Sequence, residues 1–234
     1  MDRYRAVIVI PSLNNATLFD VVKNVREVGY EVIVVDDGSK TPIKETLKCD
    51  EKTHIITHER NFGKGAALIS GCRKAKELGY SYFVSMDADG QHLAREICKL
   101  TNALSEGDET IVIGSRDFNI MNVPQGSKIG RLISNFWAAL NTGCKITDSL
   151  SGFRLYPVSI LQLPTCTVKF DYEMEVLVRH AWLKRKIVET NVECYYPKAE
   201  ERVSHFKKWR DTMSIIWVHV RLLPLRILLL KGFI

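Results

Sequence analysis

Two hydrophobic rhythms alternate along the first 120 residues. Short, nearly continuous apolar runs end in polar clusters: RAVIVIPS, YEVIVVDDGS, THIITHE, YSYFVSMDADG and TIVIGSR. Between them lie ATLFDVVKNVREVG, GKGAALISGCRKAKELG and AREICKLTNALSEG, where apolar residues recur every three or four positions. The first rhythm predicts strands buried on both faces. The second predicts amphipathic helices, two of them closed by Gly29 and Gly79. Such alternation implies a mainly parallel sheet with helices on both faces. Ligands of these sheets gather at the carboxyl ends of the strands. PSLNN, DDGS, DADGQH and GSR all fall at such ends, which points to one active site.

From residue 121 the pattern loosens. MNVPQGSKIG reads as a mobile loop, RLISNFWAALNTG as a helix and CKITDSLSGFRLYP as an irregular stretch rich in turn formers. FDYEMEVLVRHAWLKRK follows as an amphipathic helix and IVETNVECYYP as a strand. The C-terminal MSIIWVHVRLLPLRILLLKGFI is apolar but broken by His219, Arg221, Pro224 and Arg226. Those interruptions argue against a membrane span. They leave two readings, a terminal helix packed on the domain or a basic segment lying in a membrane surface. The start, MDRYRAVIVIPS, has the wrong flanks for a signal peptide.

Composition narrows this picture a little. The 234 residues suit one large domain, and 46% hydrophobic with 26% charged residues describes a globular chain. A formal charge of +6 favours an anionic partner: a nucleotide, a phospholipid headgroup or nucleic acid. The six cysteines show no C-x-x-C pair, so neither a zinc site nor a disulfide framework is expected, and a reducing cytosol fits best.

Asp87 and Asp89, with Gln91 and His92, offer hard oxygen donors and an imidazole. Such a set suits Mg2+ or Mn2+, which hold one or two carboxylates and keep positions for substrate phosphate. The plain alternative is an acidic turn with Asp89 as a helix cap. Asp36 and Asp37 can accept from a ribose hydroxyl or a base N–H, or simply end a strand. NFGKGAAL lacks the spacing of a phosphate loop, and its glycines allow a helix to start close to a ligand. Arg116 and Arg131 are bidentate phosphate binders by chemistry. Asp148 is a candidate base or acceptor-positioning group. The remaining histidines show no ligand spacing, and ERVSHFKKWR is a basic stretch able to meet a diphosphate or a membrane.

VIVIPSLNN, VVDDGS, NFGKGAAL, MDADGQH, IGSR and SGFR, in this order and spacing, resemble the family-2 glycosyltransferases, nearest the dolichyl-phosphate mannose synthase and polyprenyl-phosphate branch. The likeness runs from about residue 5 to about residue 210. It implies a GT-A fold, a nucleotide-diphosphate sugar donor, a divalent cation and inversion at the anomeric carbon. Carried over by motif, Pro11, Asp36 and Asp37 line the nucleoside pocket, with Asn14 and Lys64 also assigned to the donor. Asp87, Asp89 and Gln91 match the D-x-D-x-Q element for metal and diphosphate. Arg116 and Arg131 match acceptor-phosphate arginines. Asp148 and Arg154 fall in the acceptor-side D-x-x-S-G-F-R segment, and Arg202 matches a late arginine facing the diphosphate. The usual P-x-Y-N-E instead reads Pro11-Ser12-Leu13-Asn14-Asn15, which leaves the nucleobase open.

The resulting expectation is an α/β GT-A domain over 1–210 and a basic amphipathic helical tail over 211–234. Its function is metal-dependent, inverting transfer of a sugar to a lipid-linked acceptor, on the cytoplasmic face of a membrane reached through the tail. A lipid phosphate needs no strong base, whereas a hydroxyl acceptor makes Asp148 the base. Transfer to a saccharide hydroxyl in a polysaccharide, and nucleotide-sugar binding without catalysis, are the alternatives. A nucleotidyltransferase is disfavoured because no glycine-rich basic loop follows the first strand. Nucleic acid is not an expected partner; a homo-oligomer is compatible.

Overall fold

The computed structural model describes residues 6–104, 109–117, 125–196 and 208–230. Strand β1 (Ala6–Ser12) is followed by α1 (Leu18–Glu27), β2 (Val32–Asp36), the short α2 (Ile43–Thr46) and β3 (Thr53–Thr57). Then come α3 (Lys64–Glu77), β4 (Tyr82–Ser85), α4 (Ile97–Asn102) and β5 (Ile111–Arg116). The second half contains α5 (Gln125–Thr142), β6 (Arg154–Pro157), α6 (Tyr172–Trp182), β7 (Ile187–Val192) and α7 (Lys208–Leu230).

The seven strands form one sheet in the order β3-β2-β1-β4-β6-β5-β7. Every pairing is parallel except those of β6, which runs antiparallel to both β4 and β5. The continuous apolar runs have a direct cause. In β1 and β2, Ile8, Ile10, Val32 and Val34 enter one core with α1 and α4, while Val7, Val9, Ile33 and Val35 enter the other with α3 and α6. Successive side chains point to opposite faces, and here both faces are covered, so neither can be polar.

Three expectations change. Residues 125–130, read as loop, are the first turns of α5, and 121–124 lie outside the described residues. The "irregular" segment contains β6, whose Arg154 and Pro157 disguise a strand buried over its full length. Helix α2 was unforeseen. The C-terminal helix α7 is continuous through residue 210 and buries Ile215, Val218, His219 and Leu222. It packs on α5 and α6. Arg221 Nη2 donates to Glu175 Oε1 at 2.8 Å, and Ser214 donates to Asp171.

On α6, His180 is fully buried, its Nε2 3.3 Å from the Lys186 carbonyl oxygen. Burial pushes its imidazole down to about 4. A folded value below the unfolded one gives stability that is present above about pH 6.5 and lost as pH falls toward 4. The full loss is on the order of 3 kcal/mol. Thermal unfolding is therefore expected at lower temperature at pH 4.5 than at pH 7, with the drop blunted in His180→Gln. An equal drop in both proteins would remove His180 from that acid sensitivity.

Candidate active site

Parallel strands β1, β2, β4 and β5 end on the same edge of the sheet. Because β6 runs the other way and pairs Arg154 with Ser85, its entry segment, residues 148–153, reaches that edge too. Ser85 Oγ fixes the approach by donating to the Gly152 carbonyl at 2.6 Å.

At the β1 and β2 ends, the side chains expected at the nucleoside are largely engaged. Asp36 is fully buried and accepts from the Ser39 and Ile43 N–H groups, both at 2.9 Å. It shapes the turn instead of presenting a free oxygen. Asp37 accepts from the Phe62 and Gly63 N–H groups at 2.9 and 2.8 Å and pairs with His58 Nδ1 at 2.7 Å. Asn14, at φ 49°, accepts from Lys40 N–H at 2.8 Å on its side-chain oxygen and donates its own backbone N–H to Ser39 Oγ at 2.9 Å. These residues bind one loop to another at the ends of β1 and β2. Pro11 sits half-buried beside Val35.

Of the acidic pair after β4, Asp87 is the member that meets positive charge. Lys64, first residue of α3, places Nζ 2.7 Å from Asp87 Oδ1 and 2.9 Å from Glu173 Oε2. Gly65 makes this possible, because a Cβ there would lie 2.4 Å from that of Tyr172. The glycines of NFGKGAAL thus let α3 approach another backbone segment. Gly152 is equally constrained: a Cβ would meet Lys64 Nζ at 2.6 Å and Asp87 Oδ2 at 2.9 Å.

Burial alone would raise the Asp87 carboxyl, but Lys64 and His92 overcome it and hold the group far below the usual range. Asp89 goes the other way: burial raises it, and the Asp87 charge adds to that rise. His92 lies 3.8 Å from Asp87 Oδ2, stacks on Phe153 at 4.9 Å and rises to about 9, its partners outweighing burial. Gln91 contributes through its backbone, donating to Asp89 Oδ1 at 3.0 Å and accepting from Tyr195 N–H at 2.9 Å. Two neighbouring carboxylates, one of them under-compensated, form a hard-oxygen set that fits Mg2+ or Mn2+ with further positions left to substrate and water.

On the far side, Asp148 is fully buried and belongs to Arg116. Its Oδ2 accepts from Arg116 Nε at 2.7 Å and from that residue's backbone N–H at 3.1 Å, and its Oδ1 accepts from Nη2 at 2.9 Å. Glu189 supports the turn by accepting from the Asp148 N–H at 3.0 Å. Arg131 lies half-buried on α5.

Arg154, expected toward the acceptor, is 1% exposed and donates to the Ser151, Ser149 and Glu173 carbonyls at 2.7, 2.6 and 2.9 Å and to the Tyr156 hydroxyl at 3.3 Å. A guanidinium so enclosed holds the 148–153 turn. Arg202 lies outside the described residues. Glu173 was missed altogether; the only signal was a pair of acids two apart at a helix start, which alone reads as solvated charge.

The sequence matches the family described as Glycosyl transferase family 2 over residues 7–163. It is 34% identical over 177 residues to a UDP-N-acetylglucosamine–dolichyl-phosphate N-acetylglucosaminyltransferase of Methanococcus voltae, covering 67% of this chain and 70% of that one. It is 29% identical over 173 residues to an undecaprenyl-phosphate mannosyltransferase of Micrococcus luteus, covering 69% and 70%. Among solved structures, the fold matches glucosyl-3-phosphoglycerate synthase from Mycobacterium tuberculosis, determined with Mn2+, uridine diphosphate and glucosyl-3-phosphoglycerate. That match has a TM-score of 0.72 at 17% identity and covers 95% of this chain and 81% of the other.

Proposed function

Because the chain belongs to glycosyltransferase family 2, and is thus a sugar-transferring enzyme, we propose that it moves a sugar from a nucleotide-diphosphate donor to a polyprenyl phosphate, with inversion. The state of Asp148 carries the choice of acceptor. A hydroxyl nucleophile needs a base within reach. Here the carboxylate suited to that role accepts three hydrogen bonds from Arg116 and is sealed from solvent. A phosphate oxygen is already anionic near neutral pH and requires only to be held. Asp148 is therefore a positioning residue that presents Arg116, and Arg131 supplies a second cation for the same phosphate. The Methanococcus and Micrococcus relatives, named as dolichyl-phosphate and undecaprenyl-phosphate sugar transferases, support this reading.

On the donor side, Asp87 and Asp89 would hold Mg2+ or Mn2+. When bound, the cation neutralises charge that develops on the departing diphosphate. Lys64 adds a fixed positive charge at the same place, and a preorganised charge costs no reorganisation during reaction. The turns that Asp36, Asp37 and Asn14 fix at the ends of β1 and β2 would receive the nucleoside end.

A lipid acceptor requires access to a membrane. Residues Met213–Leu230 of α7 are long and apolar enough to cross one, with mean hydropathy 1.7. Arg221 is instead tied to Glu175, while Trp217 and Leu230 face outward at 67% and 70% exposure. On α5, Ile129, Leu132, Ile133, Phe136 and Leu140 recur on one exposed face, the helix that also carries Arg131. Both helices favour a peripheral seat on a bilayer surface.

The test offers the protein, Mn2+ and uridine- or guanosine-diphosphate sugars to vesicles bearing polyprenyl phosphate or the matching polyprenol. Transfer to the phosphate alone is expected. A joint substitution Leu132→Ser, Phe136→Ser should slow transfer on vesicles but leave it intact on detergent-dispersed lipid. Comparable transfer to polyprenol or to a soluble saccharide would overturn the acceptor assignment.

A further inference from the structure

Beyond the residues assigned so far, Glu173 meets the same ammonium as Asp87, with no role given to it. We propose that Glu173 is a positioning residue that sets how readily Asp87 takes up a divalent cation, by sharing Lys64 with it. This rests on the reading of Asp87 and Asp89 as cation ligands.

The geometry carries the inference. One ammonium, with three N–H donors, lies 2.7 Å from Asp87 and 2.9 Å from Glu173. Paired with Asp87 alone, Lys64 would compete directly with an incoming cation, and binding would have to break that pair. A second carboxylate gives the ammonium a partner it retains when Asp87 is drawn toward the cation. Glu173 is held in place for this. It is the second residue of α6, where the helix N-terminus favours an anion. Its backbone carbonyl accepts from Arg154 Nη1 at 2.9 Å. Its side chain is 9% exposed, and Oε1 is buried with no hydrogen-bond partner among the described residues. A carboxylate in that state is not an ordinary solvated helix-start acid. Nor is it a saturated structural one, since a buried oxygen left unpaired is costly. Among the described residues, the ion pair its side chain makes is with Lys64.

The experiment follows free Mn2+ by electron paramagnetic resonance as protein is added, so no turnover is needed. Glu173→Gln is expected to weaken Mn2+ binding by roughly tenfold, the size of coupling usual for residues within one ion-pair network. In a Lys64→Met background the same substitution should change Mn2+ binding by less than about twofold, because the effect passes through Lys64. Should Glu173→Gln fail to fold, Glu173→Asp provides the comparison. Its shorter reach lengthens the contact to Lys64 and shifts binding in the same direction. Unchanged Mn2+ affinity in the folded variant overturns the inference while leaving the function proposed above in place. An equal loss in both backgrounds overturns it too, because the charge would then act directly on the cation. Absence of saturable Mn2+ binding by the wild type removes the cation reading of Asp87 and Asp89, and this inference with it.

Discussion

Asp89→Asn is expected to lower sugar transfer by roughly a thousandfold while leaving the fold as stable as before or slightly more so. The substitution keeps shape and removes charge. In the protein without ligands that charge is unfavourable, since burial and the neighbouring Asp87 both raise the Asp89 carboxyl. An ionised acid whose folded value is raised subtracts from stability at neutral pH, so losing it relieves the fold. The same uncompensated charge is what a divalent cation would meet. Activity and stability should therefore move in opposite directions, as expected where a site is strained for function. Parallel measurement of initial rate and thermal midpoint decides the matter. A variant within tenfold of wild-type activity would show that Asp89 is an ordinary turn residue.

Arg154→Met carries the largest expected effect on the fold, a loss of roughly 3–5 kcal/mol. Its guanidinium is enclosed and reaches three backbone carbonyls and one phenol. Removing it leaves those buried acceptors without donors, each at the cost of desolvation. The carbonyls belong to Ser149, Ser151 and Glu173, so the damage should spread to the turn that fixes Asp148 and to the helix that carries Glu173. Urea unfolding is expected to show a lower midpoint, with transfer activity falling alongside. If the variant kept wild-type stability and showed only a raised KM for the acceptor, Arg154 would belong to the acceptor after all.

The contrast between Arg154 and Asp148 shows what the sequence could and could not tell. Strands β1, β2, β4 and β5 were readable because burial on both faces forces unbroken apolar runs, and the polar residues ending them mark the site edge. Strand β6 was not readable: four residues containing an arginine and a proline look like a turn. The arginine is tolerated there only because distant carbonyls converge on it. Asp148 could be named from its neighbours in sequence, but its partner Arg116 lies 32 positions away, and only the fold shows that the pair is closed. Glu173 left almost no trace, since an acid in the first turn of an amphipathic helix is common on surfaces. What distinguishes it is Lys64, brought over by glycines whose close approach to residues 168–172 cannot be seen in one dimension.

The reversed strand also governs the order in which the molecule can be completed during synthesis. Strands β1 to β4 pair with one another within the first 85 residues and leave only the outer edge of β4 for β6, so this half of the sheet, which ends at Asp36 and leads to Asp87, can begin to pair while the rest is still being translated. Strand β5 is made next, yet both of its neighbours, β6 and β7, come later in the chain. Arg116, at the end of β5, thus stays on an unpaired strand until residues 154–157 have turned back beside it and residues 187–192 have closed its other edge. The half that leads to Asp87 is made early, and the half that carries Arg116 and Asp148 is the last to be paired.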